Sequence, residues 1–429
     1  MIDCQVLVVG AGPAGMAAAA SAAASGRRVT LVDNGGAPGG QIWRSDVSGE
    51  RAGHRPHAAR RREWSERLEA AGVELRSGYQ VVARPGLDLL RVEKSGHWED
   101  IRFEALILAT GARERFLPFP GWTLPGVLGI GGLQALVKGG LPVLRKRVVL
   151  AGTGPLLLAV AAGLVQRGAQ ILGVFEQAPL ARLLRLGLGL RSHPRKLLEA
   201  VAYRVTAASA PFHTNAWVMR AEGAGCLRSV IVRTGGRERS IDCDYLASGF
   251  HLVPNLELPR LMGCQIEDGF VAVNQSQISS LPNVYCAGEI TGVGGLDKAL
   301  VEGEIAGLAA AGHPFNHLLS RRRREASFAQ RLGEAFALRH ELRAPPRPET
   351  LVCRCEDVAL GALAGMRSWR EAKLHTRCGM GPCQGRICGP AVAEYFGWEE
   401  EAVRPPVLPA RVLTLAAVPG AAGSLETAR

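Results

Sequence analysis

The chain has no run of about 18 uninterrupted apolar residues, which excludes a membrane-spanning helix. Aromatics make up only 5% of it and are not interleaved with its arginine runs, Arg60-Arg61-Arg62 and Arg321-Arg322-Arg323-Arg324. The net charge of +12 therefore does not read as a nucleic-acid surface, which needs a basic face with stacking residues or a recognisable module. A solvated helix face, or a docking surface for an acidic partner subunit, is the expectation for both runs. No C-x-x-C or C-x4-C pair occurs before residue 350, so the dithiol needed for disulfide exchange is missing from that stretch. Met1-Ile2-Asp3 leads straight into an apolar strand, without the basic region of a secretory signal. With single thiols scattered at Cys4, Cys226, Cys243, Cys264 and Cys286, the expected compartment is the reducing cytoplasm.

Cysteine is instead concentrated. Five fall within 36 residues, as Cys353-Arg-Cys355 and Cys378-Gly-Met-Gly-Pro-Cys383-Gln-Gly-Arg-Ile-Cys388. Thiolates this dense, with glycine and proline between them, point to a soft metal centre. Structural zinc sites prefer C-x2–4-C spacing and often include histidine. The C-x-C pair suits an iron–sulfur cluster better. Such a cluster passes electrons singly and needs a redox partner.

The first residues supply one. Ile2 to Val9 is an apolar strand running into Gly10-Ala11-Gly12-Pro13-Ala14-Gly15, followed by an alanine-rich helix. Gly10 allows the tight turn, Gly12 lets backbone approach a pyrophosphate, and Gly15 lets helix and strand pack closely. The phosphates then meet the free N–H groups of the helix N-terminus. A second strand ends at Asp33, 23 residues beyond Gly10, where a carboxylate bonds ribose hydroxyls. Gly39-Gly40-Gln41, the strand ending in Ala109-Thr110-Gly111, and Ala287-Gly288-Glu289 complete the pattern. Together they resemble the two-dinucleotide-domain flavoproteins, the family of thioredoxin and glutathione reductases. That resemblance implies FAD at the first site, with Gly288 and Glu289 where an A-G-D motif would contact the ribityl chain and pyrophosphate.

Arg147 to Leu157 opens a second strand–turn–helix, with Gly152 and Gly154 at the first two fingerprint positions and Leu157 at the third. Leucine there narrows the room for a pyrophosphate. Glu176 ends the next strand and would suit a ribose 2′-OH. The segment reads as a retained nucleotide-fold scaffold, with or without another nucleotide; NAD(P)H binding is the alternative.

Gly39-Gly40-Gln41, Phe119-Pro-Gly-Trp-Thr-Leu-Pro-Gly-Val127, the altered second fingerprint and the two cysteine segments occur in one order. In that order they resemble the larger flavoprotein subunit of multi-subunit amine dehydrogenases, over about residues 4 to 400. The C-terminal part resembles the [2Fe–2S] fold of bacterioferritin-associated ferredoxin. The resemblance implies Cys353, Cys355, Cys383 and Cys388 as ligands. In the family, alanine often stands before Gly-Met-Gly, so Cys378 is an extra, either a spare buried thiol or a replacement ligand. It also implies a smaller partner FAD subunit related to D-amino-acid oxidase, often a small ferredoxin-like subunit, and a hetero-oligomer. The partner oxidises a C–N bond of an amine or imino acid such as D-hydroxyproline, an opine or glycine. This chain then relays electrons in a dye-linked or oxygen-independent dehydrogenase. No substrate base stands out, since His193, His213, His251 and His375 are isolated.

The expected fold is α/β, a two-dinucleotide-domain flavoprotein with a small helical [2Fe–2S] module. Residues 1–115 and 245–315 form the FAD-binding domain and 116–244 the second nucleotide fold. Residues 316–350 are a bridging helix, to about Leu342, and a Pro-rich linker; 351–400 are the [2Fe–2S] module. Residues 401–429 are an extended arm laid over another subunit, mobile over its last ten. Two rivals stay open: an NAD(P)H-dependent FAD/[2Fe–2S] reductase acting alone, and a non-enzymatic or redox-sensing scaffold.

Overall fold

A computed structural model describes residues 2–44, 58–399, 403–420 and 422–423. The apolar runs at the N-terminus become β1 (Ile2–Val9), β2 (Val29–Asp33) and β3 (Glu74–Ser77). They lie parallel beside β6 (His97–Leu108). The long strand β6 also pairs in parallel with Val284–Cys286 and antiparallel with β5 (Leu89–Lys94), which meets β4 (Gln80–Gly86). One sheet thus contains a nucleotide-fold half and an antiparallel extension. Its buried strands are apolar on both faces, as a covered parallel sheet requires.

The alanine-rich segment is α1 (Pro13–Ala24), packed against α8 (Leu296–Ala310). Small residues set how close they come. A Cβ on Gly303 or Gly307 would lie 2.1 or 2.2 Å from the carbonyl oxygens of Ala14 or Ala18. A larger side chain on α8 would lift it away from the helix that carries the first glycine turn.

The chain leaves this domain through β7 (Ala112–Glu114) and returns through β16 (Leu252–Pro254), an antiparallel pair. Between them lies a parallel sheet of β8 (Val127–Gly129), β9 (Arg147–Thr153), β10 (Gln170–Glu176), β11 (Phe212–His213) and β15 (Tyr245–Phe250). Helices α3 (Ile130–Lys138) and α4 (Leu156–Val165) pack on one face, and an antiparallel three-stranded ribbon, residues 216–242, on the other. Residues 245–250, expected in the first domain, are the strand between β9 and β8 here. The expected boundary therefore moves to His251.

Two further expectations, the bridging helix and the outer arm, are corrected. The bridging helix is α9 (Leu319–Ala335), and it ends seven residues before Leu342. It packs against α8 and the second fold rather than reaching the cysteine module: Arg321 pairs with Glu304, and Leu332, Ala335 and Phe336 cover Ala178. The arginine runs lie on helix faces where Arg62, Arg323 and Arg324 are exposed, while Arg60 pairs with Asp297 and Arg61 with the Trp43 carbonyl. The expected outer arm folds back on its own sheet. Buried Arg91 holds Asp100 at 2.7 and 2.9 Å and donates to the carbonyls of Thr414, Ala417 and Val418. Gly420 N donates to Asp100, and Ala422–Gly423 pairs with β6. Most of the last ten residues lie outside the described residues.

Candidate flavin and thiol sites

The carboxyl ends of β1, β2, β6 and Val284–Cys286 lie together, the place where an open α/β sheet binds its ligand. Gly10 adopts φ +105°, and a Cβ there would sit 2.2 Å from Ala109 O; one on Gly15 would sit 1.7 Å from Gly10 O. Both glycines are forced by packing. Gly12 differs, because nothing lies within 4 Å of its Cβ position. Its bare face opens onto the site, as a pyrophosphate cradle requires. The Asp33 carboxylate accepts from Ala11 N and Gly35 N, both at 2.6 Å, and so fixes the turn while remaining half-exposed at its rim. Gly40 leans on Gly12, with exposed Gln41 beside it. Gly111, at φ +68°, has open space where a side chain would stand, and Thr110 is tied to Asn255 on both sides. Pro13 and Ala14 begin α1.

Gly288 and Glu289 follow the Val284–Cys286 strand. Glu289 accepts from Gly294 N and Gly295 N, at 3.1 and 2.9 Å. Burial pushes its carboxyl above the usual range, opposed by Lys298 and these two amides. The longer acid thus serves its own loop. Beneath it lies a pair that sequence reading missed. Lys298 Nζ donates to Glu302 at 2.8 Å and to Thr291 at 3.0 Å, while Glu302 accepts from Gly288 N. Their i, i+4 spacing was visible, but not their burial.

The second fold has the same turn with another outcome. Gly152 packs against Gly249 O and the Gly154 Cβ position is open. Leu157 is fully buried with Val148, Leu150 and Val160, so the third position serves the core. Glu176 is 1% exposed and accepts from Thr153 Oγ1, Gly154 N and Ala178 N at 2.6, 2.9 and 2.8 Å. Burial raises its carboxyl to about 7, against those hydrogen bonds. The chain also covers this end itself. Gln177 donates to Ala337 O and accepts from Arg339 N, and Arg339 stacks 3.6 Å over Trp217. Both acids accept backbone amides, but Glu176 is enclosed by protein whereas Asp33 stays half-exposed.

The five clustered cysteines converge. Cys353, Cys378 and Cys388 are buried, with sulfurs within 4.8 Å of one another. Cys383 lies against Cys388 and Cys355; contact with Cys388 is the largest cause holding its thiol low, at about 5. Cys378 is thus both buried and within reach of two expected ligands, so each reading of it keeps a structural basis. Arg377 pairs with Glu356, and Arg386 with Glu257 and the Val407 carbonyl. The converged thiols fit a soft metal centre by donor chemistry. Cys264 and Cys286, isolated in sequence, meet behind the first sheet.

The cysteine module, with strands Leu351–Cys353 and Val358–Ala359 and helices Trp369–Thr376 and Cys388–Phe396, sits on the crossing between the folds. Trp122 Nε1 donates to Leu351 O at 2.6 Å, which gives the Phe119–Val127 motif its role as a clamp. Arg115 pairs with Glu394, and Arg113 bonds Asn255, Glu257 and the Arg386 carbonyl. Thr110 is thereby linked through Asn255 and Arg113 to the loop between Cys383 and Cys388.

Two parallel nucleotide folds, a glycine cradle with a half-exposed acid at its rim and an antiparallel crossing define a two-domain flavin-dependent oxidoreductase. Residues 4–311 match the model of the pyridine nucleotide-disulphide oxidoreductases. The chain is 32% identical to the HcnB subunit of hydrogen cyanide synthase from Pseudomonas aeruginosa, over 90% of this chain and 91% of that one. It is 34% identical to an opine oxidase subunit of Rhizobium meliloti, over 90% of each. The solved L-proline dehydrogenase of P. horikoshii shares the fold, with a TM-score of 0.69 over 97% of this chain and 80% of that one, at 17% identity. The chain belongs to the pyridine nucleotide-disulphide oxidoreductase family, in the same group as HcnB and this opine oxidase subunit. Family and fold imply FAD. Among the described residues no helix is long and apolar enough to cross a membrane.

Proposed function

We propose that the chain is the electron-transferring subunit of an amine or imino-acid dehydrogenase complex. FAD is held by Gly10, Gly12, Gly15, Asp33, Gly40, Thr110, Gly111 and Gly288. A [2Fe–2S] cluster is held by Cys353, Cys355, Cys383 and Cys388, with Cys378 as a fifth thiol beside them. The observation that carries the reading is the continuous contact from Thr110 through Asn255 and Arg113 to Arg386. A flavin accepts electrons as a pair or singly, and a cluster passes them singly. The residues present do the positioning: Asp33 fixes the glycine turn, Arg113 holds the thiol loop against the flavin domain, and Trp122 clamps its first strand. The C–N bond is oxidised on a smaller partner FAD subunit, and a ferredoxin-like subunit takes part. The cytoplasm suits the scattered free thiols.

An NAD(P)H-dependent reductase is disfavoured by the buried, satisfied Glu176 and by residues 336–339 lying across the end of β10. Anaerobic titration with NADH and then NADPH separates the two. Flavin absorbance unchanged by both, yet bleached by dithionite, supports the relay; bleaching within seconds by either overturns it. A Cys383→Ser variant tests the cluster: iron and acid-labile sulfide should fall, with little acceptor turnover in the assembled complex. Unaltered turnover without iron would sink the relay.

A further inference from the structure

The crossover from β10 to β11 contains two helices, α5 (Leu180–Gly189) and α6 (Pro194–Thr206), joined by a single turn at Leu190–Ser192. Both are anchored from inside. Leu183 and Leu186 pack with Phe328, Leu332 and Phe336 of the α9 region. Lys196 reaches Glu325 and Asp297. What faces outward is apolar. Leu180, Leu184 and Leu188, four residues apart, are 55%, 60% and 63% exposed; Leu198, Val201 and Val205 are 68%, 51% and 68% exposed. Single exposed leucines are ordinary, but three large apolar side chains at helical spacing on each of two successive helices give each helix an apolar stripe that the chain leaves uncovered.

The charges beside that face have one sign. Arg182, Arg185, Arg191, Arg195 and Arg204 are exposed, and the only acid between residues 180 and 208 is Glu199, which accepts from Tyr203. Protein interfaces centre on tryptophan, tyrosine and arginine, with leucine and valine under-represented among the residues that carry affinity. Here the exposed set is leucine, valine, alanine and arginine. That is the composition of a helix lying in the headgroup region of a bilayer, its apolar side in the acyl boundary and its guanidinium groups on phosphates. We propose that the outward face of α5 and α6 docks the protein onto an anionic lipid surface, without crossing it. None of the six outward side chains belongs to the glycine cradle or the thiol cluster, so substitutions there test docking apart from electron relay.

Flotation of the purified complex with vesicles tests this. One set contains phosphatidylglycerol in phosphatidylcholine and the other phosphatidylcholine alone. The complex should float with the anionic set, lose binding as salt rises, and bind the neutral set at least about tenfold more weakly. Leu184→Glu and Leu198→Glu should each lower anionic binding by about tenfold or more, with flavin absorbance and circular dichroism unchanged. No flotation of the wild-type complex with either set would overturn the proposal, as would undiminished flotation of both variants. If the wild type does not float and Leu184→Glu sheds a companion subunit, the face belongs to a protein interface and the proposal fails.

Discussion

Arg113 donates to the backbone carbonyl of Arg386 at 3.1 Å, and both guanidinium groups converge on Glu257, at 2.9 and 3.5 Å. One residue lies in the crossing strand beside the flavin turn, the other in the thiol loop, and a single carboxylate orders both. Two domains that sequence reading treats as successive are here bolted together at the point where electrons would have to pass.

Arg113→Ala should therefore loosen the thiol module without emptying the flavin site. Charge-assisted hydrogen bonds of this kind contribute about 2 kcal/mol in total when partly buried. Limited proteolysis in residues 343–350 should accelerate, flavin content should hold, and acceptor turnover should fall. Turnover unchanged alongside faster cleavage would separate docking from electron transfer.

Gly12→Ala and Gly15→Ala should behave oppositely. A methyl on Gly15 meets Gly10 O at 1.7 Å, so the variant should lose more than about 4 kcal/mol or fail to fold. A methyl on Gly12 meets nothing, so the apoprotein should melt like the wild type while FAD binding drops. Flavin content and thermal midpoints of both apoproteins check this.

Glu176 sets a pH dependence. Its carboxyl moves from 4.5 unfolded to about 7 folded, so between those values the folded state binds more protons. Stability should fall as pH rises through this window, by up to about 3 kcal/mol, and level off above it. Urea midpoints between pH 4.5 and 8 measure the slope, and Glu176→Gln should flatten it.

Arg91→Ala leaves Asp100, fully buried, without its cation. Removing one partner of a buried pair costs about 3–5 kcal/mol. Residues 411–420, held by the same guanidinium, should become protease-sensitive. A melting temperature unchanged in Arg91→Ala would refute the role given to this pair.

Sequence showed the two-fold architecture well, because each glycine turn follows an apolar strand and precedes a helix. It showed the cysteine cluster equally well, because those residues are close along the chain. It failed where distant segments decide. Asp33 and Glu176 occupy equivalent positions, yet only Glu176 is enclosed, by Thr153 and by residues 336–339 arriving from beyond α9. Nothing local in Phe336-Ala-Leu-Arg339 announces that it leaves the helix to cap another domain. The i, i+4 spacing of Lys298 and Glu302 does not tell a buried pair from a surface one, and the meeting of Cys264 with Cys286 has no spacing rule. The tail from Arg404 to Ala410, rich in proline, suggested reach toward another subunit; Val82, Gln80 and Arg386 hold it on its own sheet, and Arg91 holds the residues after it.

The pinning of that tail bears on the order of synthesis. Asp100 and Gly420 are 320 residues apart, yet they share one hydrogen bond in one sheet. On the ribosome, β4, β5 and β6 emerge long before the segment that covers Arg91, and they wait with that buried cation and its carboxylate still uncovered. The flavin domain is thus begun first and finished last, and the nascent chain must hold its partly built sheet out of aggregation while the second fold and the thiol module are made.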